Sequence, residues 1–450
     1  MFIFQKIAQQ LLNKMLSKRK LFQIVASLLM FLVLVCLKIY GLPHWRILAA
    51  GHEKSISRPM FKFAAVPPAK LQPKSCENLL HNLTMGAWQV LPGSNISAFD
   101  ETYQTYWQQR NIATKLWRGD GKCGYKNPPP KNTDSKWPTT GSWCNKNSTM
   151  PCCNNIHDGM CSEPSKLMCD CDSCVDTRKF VYAELSKWKT ADQRCSWTHY
   201  RAYQACDVIH KSRYNNLHFV GDSLMRNMFS AFVMLLSDDT VRGSWSARMS
   251  EKQKEICVAE KFFFWDECRR IVGRLDEVLY KKKVCGGIKP KFTAVMDGFY
   301  NLKQNGSFRQ VVKKLSGKEG TLLMLGIGMH MQLKAEIVID QYLDPGVKMR
   351  DDFYKNTNVS QDSKWPQIFF MLPLLTGLLK PSRYIDLQSD AVTETFAQKL
   401  QAYCEKHAIP VFDFRPMTKY VHSFDGSHYG LGVNLMKNQV LLNYIAQQNV

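Results

Sequence analysis

Four short apolar runs punctuate the chain from residue 217 onward, at 217–220, 321–325, 368–372 and 409–414. Each is four to six residues long, which suits a strand buried on both faces. The stretches between them carry helical spacing. Residues 225–236 read as an amphipathic helix that leaves the first run through a tight turn. Residues 391–407 put Val392, Phe396, Leu400 and Tyr403 on one side. Residues 431–445 read as a terminal amphipathic helix, and Phe262-Phe263-Phe264-Trp265 as one more buried strand. Short apolar strands separated by helices predict an α/β domain with a mostly parallel sheet. Functional sites in such sheets form at the carboxyl ends of strands. Gly221-Asp222-Ser223 follows the first run directly, and Gly326 to His330 follows the second.

The upstream sequence sets the surroundings. Residues 21–37 are almost unbroken apolar sequence, and counted to Leu42 the stretch matches a bilayer-spanning helix of about 20 residues. Residues 1–20 contain Lys6, Lys14, Lys18, Arg19 and Lys20 and no acidic residue. The positive-inside rule then places the N-terminus in the cytosol and the remainder across the membrane. The sequence divides into a basic tail (1–20), a membrane anchor (21–42), a proline-containing stem (43–75), a Cys-rich lead-in (76–210) and the α/β domain (211–450).

Cysteine usage agrees with that topology. Of 16 cysteines, only Cys36 lies in the anchor, and ten fall between Cys123 and Cys206. Such density beyond an anchor reads as disulfides in an oxidising compartment. Cys171-Asp172-Ser173-Cys174 has a zinc-like spacing, but the neighbouring cysteines do not complete a clean metal pattern, and no metal is expected. Fifteen downstream cysteines leave at least one thiol free or paired between chains. Residues 120–176 predict a disulfide-stapled, loop-rich subdomain. Asn82, Asn95, Asn147, Asn305 and Asn358 each begin an N-x-Ser/Thr sequon. The net charge of +22 suits an anionic partner. The anchor and the cysteines direct that reading away from nucleic acid and towards an anionic surface or an acidic substrate.

The candidate chemistry lies at the turn after the first run. Ser223 would sit at a helix N-terminus, where backbone N–H groups favour a developing oxyanion. Gly, Asp and Ser are also ordinary turn and cap residues, so the tripeptide alone leaves a structural role open. A nucleophilic serine needs a base and a group that orients it. Asp425-Gly426-Ser427-His428 supplies a carboxylate three residues before an imidazole, on a loop between the last run and the last helix.

The segment Phe219-Val220-Gly221-Asp222-Ser223-Leu224-Met225-Arg226-Asn227 resembles the signature of the PC-esterase branch of the SGNH (GDSL-type) hydrolases. Trichome-birefringence-like proteins and neurexophilin/PC-esterase-domain proteins are the similar members. Phe424-Asp425-Gly426-Ser427-His428-Tyr429 resembles the family's C-terminal Asp-x-x-His block, and Gly328-Met329-His330 its Gly-His segment. Cys195-Ser196-Trp197 and Cys206 are similar to its Trp/Cys lead-in. The resemblance covers about residues 190–450. It implies an SGNH-like three-layer sandwich. It also implies Ser223 as the acylated nucleophile, His428 as general base and acid, and Asp425 as the partner of His428. Gly221, Gly328 and His330 are expected near the oxyanion or substrate, and Asp222, Arg226 and Asn227 as supports of the turn. The wider family's Gly-x-Asn-Asp block has no counterpart here, which leaves the usual Asn oxyanion donor unassigned.

The implied activity is glycan O-acyl transfer, acetyl above all, in the Golgi by a single-pass type II membrane protein with a lumenal catalytic domain. The acyl donor would be acetyl-CoA or an acetylated intermediate, with no bound cofactor. A carbohydrate O-acetyl esterase would use the same triad. An inactive glycan- or protein-binding ectodomain is the reading from another class. Oligomeric state is not legible.

Overall fold

The computed structural model describes residues 78–109, 152–153, 175–176 and 179–448, the last with short breaks at 193, 196, 269–271, 378–379, 381–383 and 385–386. The expected tail, anchor and stem, and most of the 120–176 loops with Asn147, lie outside the described residues. Among the described residues no helix is long and apolar enough to cross a membrane.

Five parallel strands form the central sheet. They are β1 (Asn216–Gly221), β2 (Thr293–Gly298), β3 (Thr321–Gly326), β4 (Gln367–Met371) and β5 (Val411–Phe412), in the order β2-β1-β3-β4-β5. Side chains alternate between two cores, as the period of a strand requires. Leu217, Phe219, Leu322, Met324, Phe369 and Met371 enter one core. Val220, Leu323, Leu325, Ile368 and Phe370 enter the other. The first core is closed by α1 (Ala202–Lys211), α2 (Ser223–Leu236) and α6 (Leu431–Gln447). The second is closed by α3 (Asn305–Leu315), α4 (Asp344–Phe353) and α5 (Asp390–Lys406). The architecture is an α/β sandwich with helices on both faces of a parallel sheet.

This strand order creates a topological switch. The helix after β1 covers one face, and the helices after β3 cover the other. The switch point therefore lies at the carboxyl ends of β1 and β3, the usual ligand position in an open α/β sheet. Gly221 lies opposite Gly326 in the register of these two strands.

Three expectations need correction. Phe262–Phe264 are buried, but they belong to the short helix Lys261–Phe264 rather than to a strand. A brief apolar run carries no periodicity that separates the two. Only Val411–Phe412 of the run 409–414 pairs in the sheet. The helices α2 and α6 are buried almost all round instead of presenting a polar face to water.

The upstream residues pack into the same cores. Gly86–Val90 pairs antiparallel with Ser186–Thr190, and Leu79, Leu83 and Trp188 join the first core. A third cluster joins Phe99, Tyr103, Tyr106 and Tyr182 to Ala231, Met234, Phe262 to Phe264 and Phe424. Cys152–Cys153 pairs with Val175–Asp176. Disulfides join Cys206 to Cys285 and Cys257 to Cys268, and Cys195 is also disulfide-bonded. Cys404 is a free, buried thiol whose pKa burial pushes up to about 12.

Candidate active site

The end of β1 is built for close backbone approach. A Cβ on Gly221 would stand 1.9 Å from the Gly326 carbonyl oxygen, so no larger residue fits between β1 and β3. The next residue, Asp222, donates its N–H to that same carbonyl at 3.1 Å. Its side chain then caps α2, accepting from the Leu224 N–H at 3.0 Å through Oδ1. Through Oδ2 it accepts from the Met329 N–H at 3.3 Å. One carboxylate thus holds the turn after β1 and the segment after β3 together. Burial pushes its pKa above the usual carboxylate range, with the charge of His330 as the largest opposing influence.

Ser223 is the first residue of α2 and is buried. Its Oγ lies 2.7 Å from His428 Nε2. His428 Nδ1 lies 2.7 Å from Asp425 Oδ2. Asp425 Oδ1 accepts from the backbone N–H groups of Ser427 at 3.0 Å and His428 at 2.8 Å, which fixes its plane. The loop turns at Gly426 with φ +73°, a conformation that glycine adopts without strain. The Gly426 N–H donates to Ser423 Oγ at 3.1 Å, and its carbonyl accepts from the Gly377 N–H at 3.0 Å. The side chains of His428 and Asp425 are only 12% and 6% exposed, so the hydrogen-bonded chain is shielded from competing water.

The Met329 peptide is clamped from both sides. Its N–H meets Asp222, and its carbonyl accepts from Gln388 Nε2 at 3.0 Å. Gly328 precedes it, packed so closely that a Cβ there would meet Phe396 at 2.8 Å. Among the described residues, the N–H groups of Ser223 and Gly328 donate to no protein acceptor. Both follow the paired ends of β1 and β3. The imidazole of His330 is exposed and stands edge-on to Tyr300, with ring centroids 5.3 Å apart.

Arg226 and Asn227 hold the first turn of α2 to its neighbours. Arg226 Nη1 donates to the Tyr300 hydroxyl at 3.1 Å, and Asn227 Nδ2 donates to the Phe263 carbonyl at 3.2 Å. Of the sequon asparagines, Asn95 and Asn358 are exposed, while Asn82 and Asn305 are half-buried. Asn305 Nδ2 donates to Gln341 Oε1 at 2.8 Å. Among the described residues no group of three or more His, Cys, Asp or Glu side chains converges as a metal site requires.

Several polar residues around the site have no motif to announce them. Lys380 is buried and donates to Ser427 Oγ at 2.5 Å. Burial lowers its pKa to about 8, against the opposing charges of Asp425 and Asp390. Along α6, Asn434, Lys437, Asn438, Gln439 and Asn443 are all buried. Asn434 Nδ2 donates to the carbonyls of Tyr429 at 2.9 Å and Gly430 at 2.8 Å. Asn438 Nδ2 donates to the Met228 carbonyl of α2 at 2.9 Å. The N-terminus of α6 is capped by two buried glutamates. Glu260 Oε2 accepts from the Leu431 N–H at 2.9 Å, and Glu184 Oε1 from the Gly432 N–H at 3.0 Å. The 3- and 4-residue spacing of these polar positions along α6 was the available sign of a shared helix face.

A serine hydroxyl bonded to an imidazole, itself oriented by a carboxylate, is an arrangement suited to nucleophilic acyl transfer. Comparison with protein-family models, with curated proteins and with solved structures yields no match to any of them.

Proposed function

We propose that the chain is a serine-dependent acyl-transfer enzyme of the SGNH type, with motifs that resemble the PC-esterase branch, and that its substrates are O-acylated or acyl-accepting glycans. The observation that carries this reading is the continuous chain Ser223 Oγ, His428, Asp425, with both links at 2.7 Å. Its position at the switch point of the sheet supports the same reading, as do the two motif blocks in the sequence.

In this mechanism His428 Nε2 takes the Ser223 proton as Oγ attacks the acyl carbonyl. Asp425 holds the imidazole tautomer and stabilises the imidazolium. The N–H groups of Ser223 and Gly328 receive the oxyanion, assisted by the N-terminus of α2. The leaving alcohol or thiol takes the proton from His428, and an acyl-serine remains. A second hydroxyl then attacks it, with His428 again as base. A sugar hydroxyl there makes the enzyme an O-acetyltransferase, and water makes it an esterase. We favour transfer to a glycan, with the basic chain matched to an acidic acceptor. The predicted anchor and sequons support a Golgi-lumenal setting.

Mass spectrometry tests this directly. The purified protein is incubated with acetylated and non-acetylated glycans, with and without an acetyl donor such as acetyl-CoA. Acetyl gain on the acceptor supports transfer, and acetyl loss alone supports hydrolysis. Ser223→Ala abolishes either reaction; unchanged turnover in that variant would sink the assignment.

A further inference from the structure

Lys437 is fully buried, an unusual fate for a lysine. It lies on α6, against the nucleophile's helix. Its Nζ donates to the Leu224 carbonyl at 3.3 Å and to Asn434 Oδ1 at 3.1 Å. The Phe414 ring lies beneath it at 5.9 Å, a favourable face for a cation. Asn434 in turn donates to the carbonyls of Tyr429 and Gly430. Leu224 follows Ser223 directly, and Tyr429 follows His428 directly. A short polar path therefore runs from the residue after the serine, through Lys437 and Asn434, to the residue after the histidine. Ser223 and His428 are 205 residues apart in sequence, and this path joins their backbones from behind.

We propose that Lys437, acting with Asn434, is a positioning residue for the Ser223–His428 pair. It keys the first turn of α2 to the histidine turn through the hydrogen bonds its Nζ donates to the Leu224 carbonyl and Asn434 Oδ1. Burying a charge costs stability, and an apolar side chain of similar volume would fill the same space more cheaply. Lysine at this position is explained by the path it completes. Burial pushes its pKa down to about 7, with the Asp222 carboxylate opposing that fall. The inference rests on Ser223 being the nucleophile.

The test uses the full-length protein in detergent and a fluorophosphonate probe, which loses fluoride as a serine oxygen bonds to phosphorus. Wild type should be labelled and Ser223→Ala should not. Lys437→Met should slow labelling about 10-fold or more, the scale of a small misplacement of reacting groups, while its Tm stays level or rises. A residue that merely holds the fold would show the reverse, a lower Tm with an unchanged rate in the folded fraction. Asn434→Ala, which keeps the Lys437 bond to the Leu224 carbonyl and cuts the path between Lys437 and the histidine turn, is measured beside it in case Lys437→Met folds poorly. It should slow labelling by about 3-fold or more. In aryl acetate turnover both variants should lose kcat and keep KM. Labelling within about 2-fold of wild type in every variant that folds overturns the inference and leaves the nucleophile assignment intact. Absence of label on wild type overturns both.

Discussion

The Asp222 carboxylate accepts a hydrogen bond from the Met329 N–H at 3.3 Å, although 107 residues separate the two. This bond ties the turn that carries the serine to the segment that carries Gly328. Asp222→Asn keeps an acceptor for the Leu224 N–H, but its amide cannot also accept from Met329. The variant should fold with a stability loss of about 1 kcal/mol, typical of one hydrogen bond. Its kcat for an aryl acetate should fall more than that loss explains if Gly328, beside Met329, is the proposed oxyanion donor, because the segment that holds it is released. Urea titration and steady-state kinetics on the same sample check this, and a wild-type kcat would show that the tie has no bearing on the chemistry.

Asp425→Asn tests the orienting role. The amide can still meet the imidazole, but it favours the wrong tautomer. A loss of about 10⁴ in kcat is the scale known for this change in serine triads. Combining it with Ser223→Ala should cost little more than Ser223→Ala alone, since the three residues act as one unit. Additive losses in the double variant would argue against a shared proton path.

Stability should rise with pH across the window in which the buried lysines titrate. In the folded chain Lys437 and Lys380 have pKa values lowered by burial from 10.5 to about 7 and about 8. Between those values and 10.5 the unfolded chain binds more protons than the folded one, so raising the pH favours folding. Each lysine contributes on the order of 1 kcal/mol per pH unit within its window. Urea midpoints between pH 7 and 9 measure the slope, below the range in which tyrosines lose protons in either state. Lys437→Met should flatten it, and a slope unchanged by that variant would refute the assignment.

Gly221→Ala should be among the most damaging single-methyl changes in the protein. The added carbon would stand 1.9 Å from a backbone oxygen of the adjacent strand, which cannot swing away as a side chain can. Overpacking of this kind costs about 1–3 kcal/mol or more. The shift would also move Ser223, two residues on. Thermal melts should show a clear fall in Tm, and probe labelling should weaken even in the folded fraction.

The legible parts of this fold were those with extreme burial. β1, β3 and β4 stood out because both faces are covered and most of their residues are apolar. β2 did not, because it lies at the sheet edge and Asp297 breaks its apolar run. The three phenylalanines at 262–264 were visible as buried, but their helical form depends on what surrounds them. Asp425 and His428 were legible because they meet within one short loop, and Ser223 because its turn directly follows a buried strand. Lys437, Gln388 and Lys380 were not, because each acts on backbone or hydroxyl groups of a distant element. Nothing in an isolated stretch shows that a lysine on an amphipathic-looking helix will face inward.

The cap at the start of α6 sets a lower bound on any fragment that keeps the histidine turn as it stands here. The helix begins three residues after His428, and one of its two carboxylate caps, Glu184, comes from a segment 248 residues earlier. A recombinant fragment starting near Cys195, where the motif resemblance begins, would leave the Gly432 N–H uncapped beside the histidine turn. A fragment that keeps this cap therefore has to reach upstream of Glu184. In domain-engineering terms, the lead-in around Glu184 and the histidine turn belong to one module.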